Sequence, residues 1–153
     1  AAAVTAGIGH GGIEAISITA VSLALSLVFA LCWNAGDTDA LLKLAGSAET
    51  AQTVAASLGK YTVGYCLLAC LERVSAMLLH ISLSVFVFAA ARSRAKRGYL
   101  AFAIGLHAIF DMPAALYQFG YVKQLFPVEL WLAVCALYGL RSARKCYLEE
   151  CDA

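Results

Sequence analysis

The chain has 153 residues, of which 62% are hydrophobic and 14% are charged. An ordinary globular domain is about half apolar and about one quarter charged, so this composition indicates a protein whose solvent is largely lipid. The net charge of +1 offers no basic surface for nucleic acid. Because no repeat or low-complexity linker divides the chain, we expect a single transmembrane helical domain over residues 1–153.

Four stretches reach the roughly 20 apolar residues that cross a bilayer, or come close to it. They run from about Val4 to Trp33, Tyr61 to Ala91, Tyr99 to Gln118, and Phe126 to about Leu140. The sequence therefore predicts an all-α fold, a polytopic transmembrane bundle with about four membrane-spanning helices. Pro127 suits the first turn of the fourth helix.

Positive charges collect on one side of these spans. Residues 92–97 carry four Lys or Arg side chains, and Arg141, Arg144 and Lys145 follow the fourth span. Basic connectors stay in the cytoplasm, which gives one topology for all four crossings. The long connector over residues 34–60 has apolar positions at roughly helical spacing, which predicts a short interfacial helix.

The six cysteines form no C-x-x-C pair, so we expect buried thiols rather than a disulfide framework. Four of them lie in apolar runs and two in the tail: Cys32, Cys66, Cys70 and Cys135, then Cys146 and Cys151. The chain also opens in mid-run without an initiator Met. We interpret it as a fragment of a longer membrane protein.

Ionisable residues inside the spans are the strongest functional signal: Glu14, Glu72, Arg73, His80, His107 and Asp111. A charged side chain at the centre of a membrane helix costs about 2.5–3.5 kcal/mol on insertion scales. Such residues must therefore face the bundle interior, pair with each other, or touch water. By default they mark a functional site.

Spacing along the helices brings several of these residues together. His107 and Asp111 are four apart and share one helix face, as do His10 and Glu14. Counted from the basic connector at ~1.5 Å per residue, His80, His107 and Asp111 lie between roughly 15 and 21 Å deep. His80 and His107 can therefore meet.

Each residue also has a structural interpretation. A lone intramembrane histidine often serves as a hydrogen-bonding group between helices. Asp111 precedes Met112-Pro113 and could satisfy backbone groups that the proline frees. Glu72 and Arg73 could form a structural ion pair. Three polar groups at one depth favour a functional role for His80, His107 and Asp111.

The segment Gly7–Ile16 reads GIGHGGIEAI and resembles the GHGGIEAI signature of the YhfC family of intramembrane metalloproteases. Two further segments fit in the same order, ERVSAMLLH over Glu72–His80 and HAIFD over His107–Asp111. The resemblance covers essentially the whole chain. It implies a membrane-embedded peptidase.

The YhfC family is similar to the CAAX and bacteriocin-processing membrane proteases, with their Glu-Glu-x-x-x-Arg, Phe-x-x-x-His and His-x-x-x-Asn/Asp motifs. The resemblance implies that His10 matches the second motif, although Ala6 stands where an aromatic residue is expected. His107 and Asp111 match the third motif. Glu72 and His80 would belong to the YhfC branch of these proteases.

The first motif has no counterpart near the start of the chain. Paired glutamates are expected upstream of the GHGG segment, whereas Glu149-Glu150 lies in the polar tail. This departure agrees with the interpretation of the chain as a fragment that lacks its first helices.

These features predict an intramembrane peptidase that hydrolyses a peptide or protein substrate within the bacterial cell membrane. A glutamate and histidines would activate water directly, or histidines would hold a metal, with zinc the expected ion. The candidate catalytic residues are Glu14, Glu72, His80, His107 and Asp111. The candidate metal ligands are His10, His80 and His107.

Two other classes remain open from the sequence. A transporter or receptor subunit could use buried His, Asp and Glu side chains to bind a substrate or protons. A haem-binding membrane protein could use His80 and His107 as axial ligands.

Overall fold

Helices make up nearly all of the described chain. The structure is a computed structural model that describes residues 1–59 and 61–151, so the predicted connector charge at Lys60 lies outside it, as do the side chains of Glu150 and Cys151. The helices are α1 (Ala2–Glu14), α2 (Val21–Ala35), α3 (Thr38–Ala45), α4 (Ala48–Leu58), α5 (Val63–Arg92), α6 (Gly98–Gln118) and α7 (Leu125–Cys151). A π-helical segment (Ala15–Ala20) joins α1 to α2, and a 3₁₀ turn (Arg94–Lys96) lies between α5 and α6.

Four helical stretches within the described residues are long and apolar enough to cross a membrane. They are Ala2–Ala35, Val63–Arg92, Arg94–Gln118 and Leu125–Glu149. The all-α prediction with four spans is therefore confirmed. The fourth helix is longer than predicted because the Ala, Arg, Lys and Leu residues after Leu140 favour a helix and include no breaker.

The first span departs from a regular α-helix over Ala15–Ala20, where it is π-helical. This segment contains neither glycine nor proline, so the sequence pattern gave no warning of it. Single π-helical turns inside α-helices are rare and frequently stand at functional sites. Here the segment begins directly after Glu14, the last residue of α1.

The connector between the first two spans contains two short helices, so the prediction of one helix was wrong in number. Asp37 begins α3 by accepting a hydrogen bond from the Ala40 amide, and Ser47 begins α4 in the same way through Thr50. Gly46 ends α3 with a φ of 77°, a conformation that glycine adopts without steric cost. These caps break the helix between two runs that both favour it.

The described residues form two compact units. One contains Glu14–Leu67, and its small core joins Phe29 of α2 to Leu41 of α3 and Ala51 of α4. The other contains Ala1–Ile13 and the described residues from Leu68 onward. The prediction of a single domain over the whole chain stays a prediction.

In the second unit, α5 is the central helix. Phe86 of α5 packs against two aromatic rings of α6, with ring centroids 5.8 Å from Tyr99 and 5.2 Å from Phe102. On α7, Gly139 faces Leu79 and Ser82 of α5 in ordinary van der Waals contact. Leu79 and Ser82 are completely buried. The core of this unit is therefore built mainly by α5 and α7.

The cysteines agree only partly with the prediction of buried thiols. Cys135 and Cys146 are buried, Cys32 is half-buried, and Cys66 and Cys70 are exposed. Cys32, Cys66, Cys70 and Cys135 are free thiols. Cysteine behaves as a small apolar residue, so an exposed position on a membrane helix suits it.

A stripe of small residues lets α1 approach α5 unusually closely. Ala3, Gly7 and Gly11 are the buried residues of α1, and their four-residue spacing places them on one face. A Cβ atom added at Gly7 would stand 2.4 Å from the Cα of Ile81, which no real contact permits. Small residues four apart are the usual device for close packing of membrane helices.

We expect Gly7→Ala to destabilise the protein by about 1–3 kcal/mol, because the new methyl group meets backbone that cannot move alone. Thermal unfolding in detergent micelles, followed by circular dichroism, measures the effect. Gly9→Ala is the matched control, since a Cβ atom there meets nothing within 4 Å. Equal unfolding temperatures for the two variants would show that the helices are not packed in this way.

Candidate metal and catalytic site

The three histidines of the chain come together in one row, contributed by three different helices. The ring centroid of His80 on α5 lies 4.7 Å from that of His10 on α1 and 5.2 Å from that of His107 on α6. His80 is buried, with 6% of its surface exposed. The prediction that His80 and His107 meet is confirmed, and His10 joins them.

Helix packing places each ring. The α1–α5 contact at Gly7 and Gly11 sets His10 against His80. A Cβ atom added at Gly11 would lie only 3.2 Å from Cδ2 of His80, so the helix backbone passes directly beside this ring. The short basic connector turns α6 back along α5. Contact of Phe86 with the first turn of α6 then brings His107 level with His80, since antiparallel helices have the same rise per residue.

Asp111 lies one helical turn beyond His107 on α6. Its Oδ2 atom is 3.0 Å from Nδ1 of His107, although the two atoms do not have hydrogen-bond geometry. The Asp111 side chain is 60% exposed and pairs with His107, which is one of the three arrangements expected for an ionisable residue in a span. Its reach back to His107 accounts for this position, because i,i+4 pairing holds the carboxylate beside the ring without burying it.

The buried Nδ1 atom of His107 has no hydrogen-bond partner among the described residues. A buried polar atom without a partner is uncommon and calls for an explanation, such as a bound ion or a catalytic role. The nitrogens of His10 and His80 are also close, with a ligand atom of each within 4.8 Å of the other. Two nitrogens that ligate one zinc lie roughly 3.4 Å apart, a separation that small ring movements reach.

Glu14 follows His10 by one turn and ends α1. The i,i+4 spacing puts its carboxylate on the same side of the helix as the His10 ring. Two imidazoles and a carboxylate form a donor set typical of catalytic zinc sites. The residues present therefore suit a divalent metal such as zinc.

Glu72 lies apart from the histidines. It forms an ion pair with Arg73, the next residue on α5. Glu72 precedes His80 by eight residues, which is about 12 Å along the helix. Its predicted catalytic role stays a prediction, and its position makes direct contact with a substrate held by the histidine row harder to achieve.

Sequence analysis missed one intramembrane carboxylate, Glu129 on α7. Its exposed fraction is 2%, and its Oε2 atom has no hydrogen-bond partner among the described residues. Glu129 falls inside the predicted fourth span, so a complete count of ionisable residues there would have found it.

Comparison with known proteins identifies the family. A family model described as YhfC intramembrane metalloprotease matches residues 1–132. The chain belongs to the YhfC family. It is 34% identical over 145 residues to "Uncharacterized membrane protein YhfC" of Bacillus subtilis (strain 168). That alignment covers 92% of this chain and 55% of the relative, so the chain spans about half the length of the curated relative.

Membership of the YhfC family, together with the four spans, makes the chain an integral, multi-pass membrane protein. No solved structure gives a significant match. The ring geometry also argues against the haem interpretation. Axial histidines stand on opposite faces of a porphyrin, whereas His80 and His107 are in edge contact with no space for a macrocycle between them.

We expect Gly11→Ala to displace the His80 ring, because the new Cβ atom would stand 3.2 Å from its Cδ2 and 3.0 Å from Sδ of Met77. Histidine-selective NMR can follow this, since the chain has only three histidines. The His80 and His107 signals should shift together. Gly12→Ala should leave them in place, as a Cβ atom there meets nothing within 4 Å. Unchanged signals in Gly11→Ala would contradict the packing of α1 on His80.

Proposed function

We propose that the protein is an intramembrane metallopeptidase whose site is built on His10, His80 and His107. The observation that carries the proposal is the row of three imidazoles from three helices within the membrane-spanning region. Burying the His80 ring among apolar helices is costly unless the ring is hydrogen-bonded or binds a ligand. The description of the family supports a metal and a peptide substrate.

His10 and His80 would hold the metal. Zinc held there would act as a Lewis acid, polarising the scissile carbonyl and making water a nucleophile at neutral pH. The carboxylate of Glu14 would accept the proton of the attacking water and deliver it to the amine nitrogen as the C–N bond breaks.

His107 would stabilise the developing negative charge on the carbonyl oxygen. An imidazole N–H aimed at that oxygen, in a site that excludes water, is worth far more than the same donor in solution. Asp111 would act as a positioning residue, because its Oδ2 atom stands 3.0 Å from Nδ1 of His107. The substrate would be a peptide segment that can enter the bundle from the lipid.

His80→Ala in the full-length protein should lower cleavage of membrane-embedded peptides by roughly 100-fold or more, the usual loss when a reacting group is removed. Zinc bound per chain, measured by mass spectrometry after dialysis, should fall by about tenfold or more. The measurement uses protein in lipid nanodiscs with a library of transmembrane peptides, with and without a chelator.

Glu49→Gln is the control, since Glu49 is exposed on α4, in the compact unit that does not contain the histidines. It should keep both zinc and cleavage. His107→Ala separates the two roles: cleavage should fall while zinc remains. Cleavage that survives His80→Ala, or that is insensitive to chelator, would reject the proposal.

A further inference from the structure

A groove between α6 and α7 lies at the end of the bundle that carries the basic connector. Its volume is about 440 Å³, within the range of roughly 300–1,000 Å³ that is typical of sites for small molecules. All of its lining residues belong to one compact unit, the one that contains the described residues from Leu68 onward. Phe86, which lines the groove from α5, lies six residues after His80, or about 9 Å along the helix. The groove is therefore separate from the histidine row.

The inner part of the groove is apolar. Phe86 and Cys146 line it and are buried, whereas Phe102 of α6 is 43% exposed beside them. The Phe86 and Phe102 rings pack edge to face with their centroids 5.2 Å apart, which fixes the position of the Phe102 wall. An aromatic wall beside an apolar floor offers a hydrocarbon chain contact on two sides. This part of the groove therefore suits an acyl chain.

The outer part of the groove is polar and lies at the level expected for lipid headgroups. Ser142 and Lys145 line it from α7, directly after the fourth apolar stretch, and their three-residue spacing places them on one helix face. Tyr99 lines it from the first turn of α6, and tyrosine is enriched at the membrane–water interface. One ammonium group and two hydroxyl groups can all donate hydrogen bonds to phosphate oxygens.

The surface around the groove has the charge sign that attracts an anionic lipid. Residues 92–97 and 141–149 adjoin the lining residues in sequence and together contain seven Lys or Arg residues and one acidic residue, Glu149. Glu149 lines the groove one turn beyond Lys145, further from the apolar span. Basic pockets between membrane helices on the cytoplasmic side bind anionic headgroups, and each Lys or Arg near that surface strengthens binding about fivefold. Charge complementarity thus favours an anionic headgroup over a zwitterionic one.

We propose that this groove binds an anionic phospholipid of the cytoplasmic leaflet. The lipid phosphate lies at Lys145 and Ser142, and one acyl chain lies along Phe102. The lipid bridges the start of α6 and the C-terminal part of α7, which line the groove from two sides. The site does not depend on the proposed peptidase activity.

Native mass spectrometry of the full-length protein in detergent micelles tests the proposal. The probes are phosphatidylglycerol and phosphatidylcholine with identical acyl chains, each added at the same concentration. The protein should retain at least about fivefold more phosphatidylglycerol than phosphatidylcholine. Lys145→Gln should lower the retained phosphatidylglycerol by about fivefold and leave phosphatidylcholine unchanged, because one cation at the phosphate is lost. Glu149→Gln should raise the retained phosphatidylglycerol, because a like charge near the phosphate is removed.

Arg144→Gln is the matched control, because it removes the same charge from the adjacent exposed position of α7, which does not line the groove. This variant should retain phosphatidylglycerol as the unchanged protein does. Equal retention of the two lipids, or equal losses in Lys145→Gln and Arg144→Gln, would show general attraction to a basic surface and overturn the proposal. Displacement of phosphatidylglycerol by excess inorganic phosphate would assign the groove to a free anion and overturn it as well.

Discussion

The contact between α1 and α5 at Gly7 is the constraint on which the rest of the site depends. A Cβ atom added at Gly7 would lie only 2.4 Å from the Cα of Ile81, so the two backbones can meet in this way only because glycine has no side chain. The approach sets His10 against His80. Since α6 folds back along α5 independently, through Phe86 and the short connector, His107 reaches the same ring from the other helix. One close helix contact and one tight hairpin thus bring the three histidine rings together.

The bundle deals with intramembrane charge in two different ways. The three histidine rings lie against each other in tilted and edge-on contacts, which keeps their polar atoms together within the apolar region. The formally charged residues are instead held by near neighbours in sequence, as in the Glu72–Arg73 pair and the His107–Asp111 pair. Local pairing limits the cost of a membrane charge before helices assemble. Glu129 has no such neighbour, which sets it apart from the other acidic residues.

Much of this arrangement could be predicted from the sequence because membrane helices obey simple geometry. A run of apolar residues predicts each span. The number of residues from the basic connector, multiplied by the helical rise of ~1.5 Å per residue, predicts the depth of each side chain, and it places His80 and His107 at similar depths. Gly7 and Gly11 are four residues apart, a pattern typical of close packing between membrane helices. The three motifs also sufficed to name the family, because their residue types and order are specific.

Other features depend on side-chain directions or on local capping that the pattern does not carry. The exposure of Asp111 depends on the direction in which its side chain leaves the α6 axis. The depth of a residue in the membrane does not determine that direction. The division of the connector depended on Gly46 and Ser47 acting together as a stop and a start. No residue type in the π-helical segment after Glu14 distinguishes it from an ordinary α-helix. Whether a metal binds depends on sub-ångström placement of ring nitrogens, which periodicity cannot supply.

X-ray absorption at the zinc edge of the zinc-loaded protein tests most directly whether the histidine row is a metal centre. The account predicts a first shell of nitrogen and oxygen atoms at about 2.0–2.1 Å, with the outer-shell scattering of imidazole rings. A shell of sulfur atoms at about 2.3 Å would place the metal on the cysteines instead and contradict it.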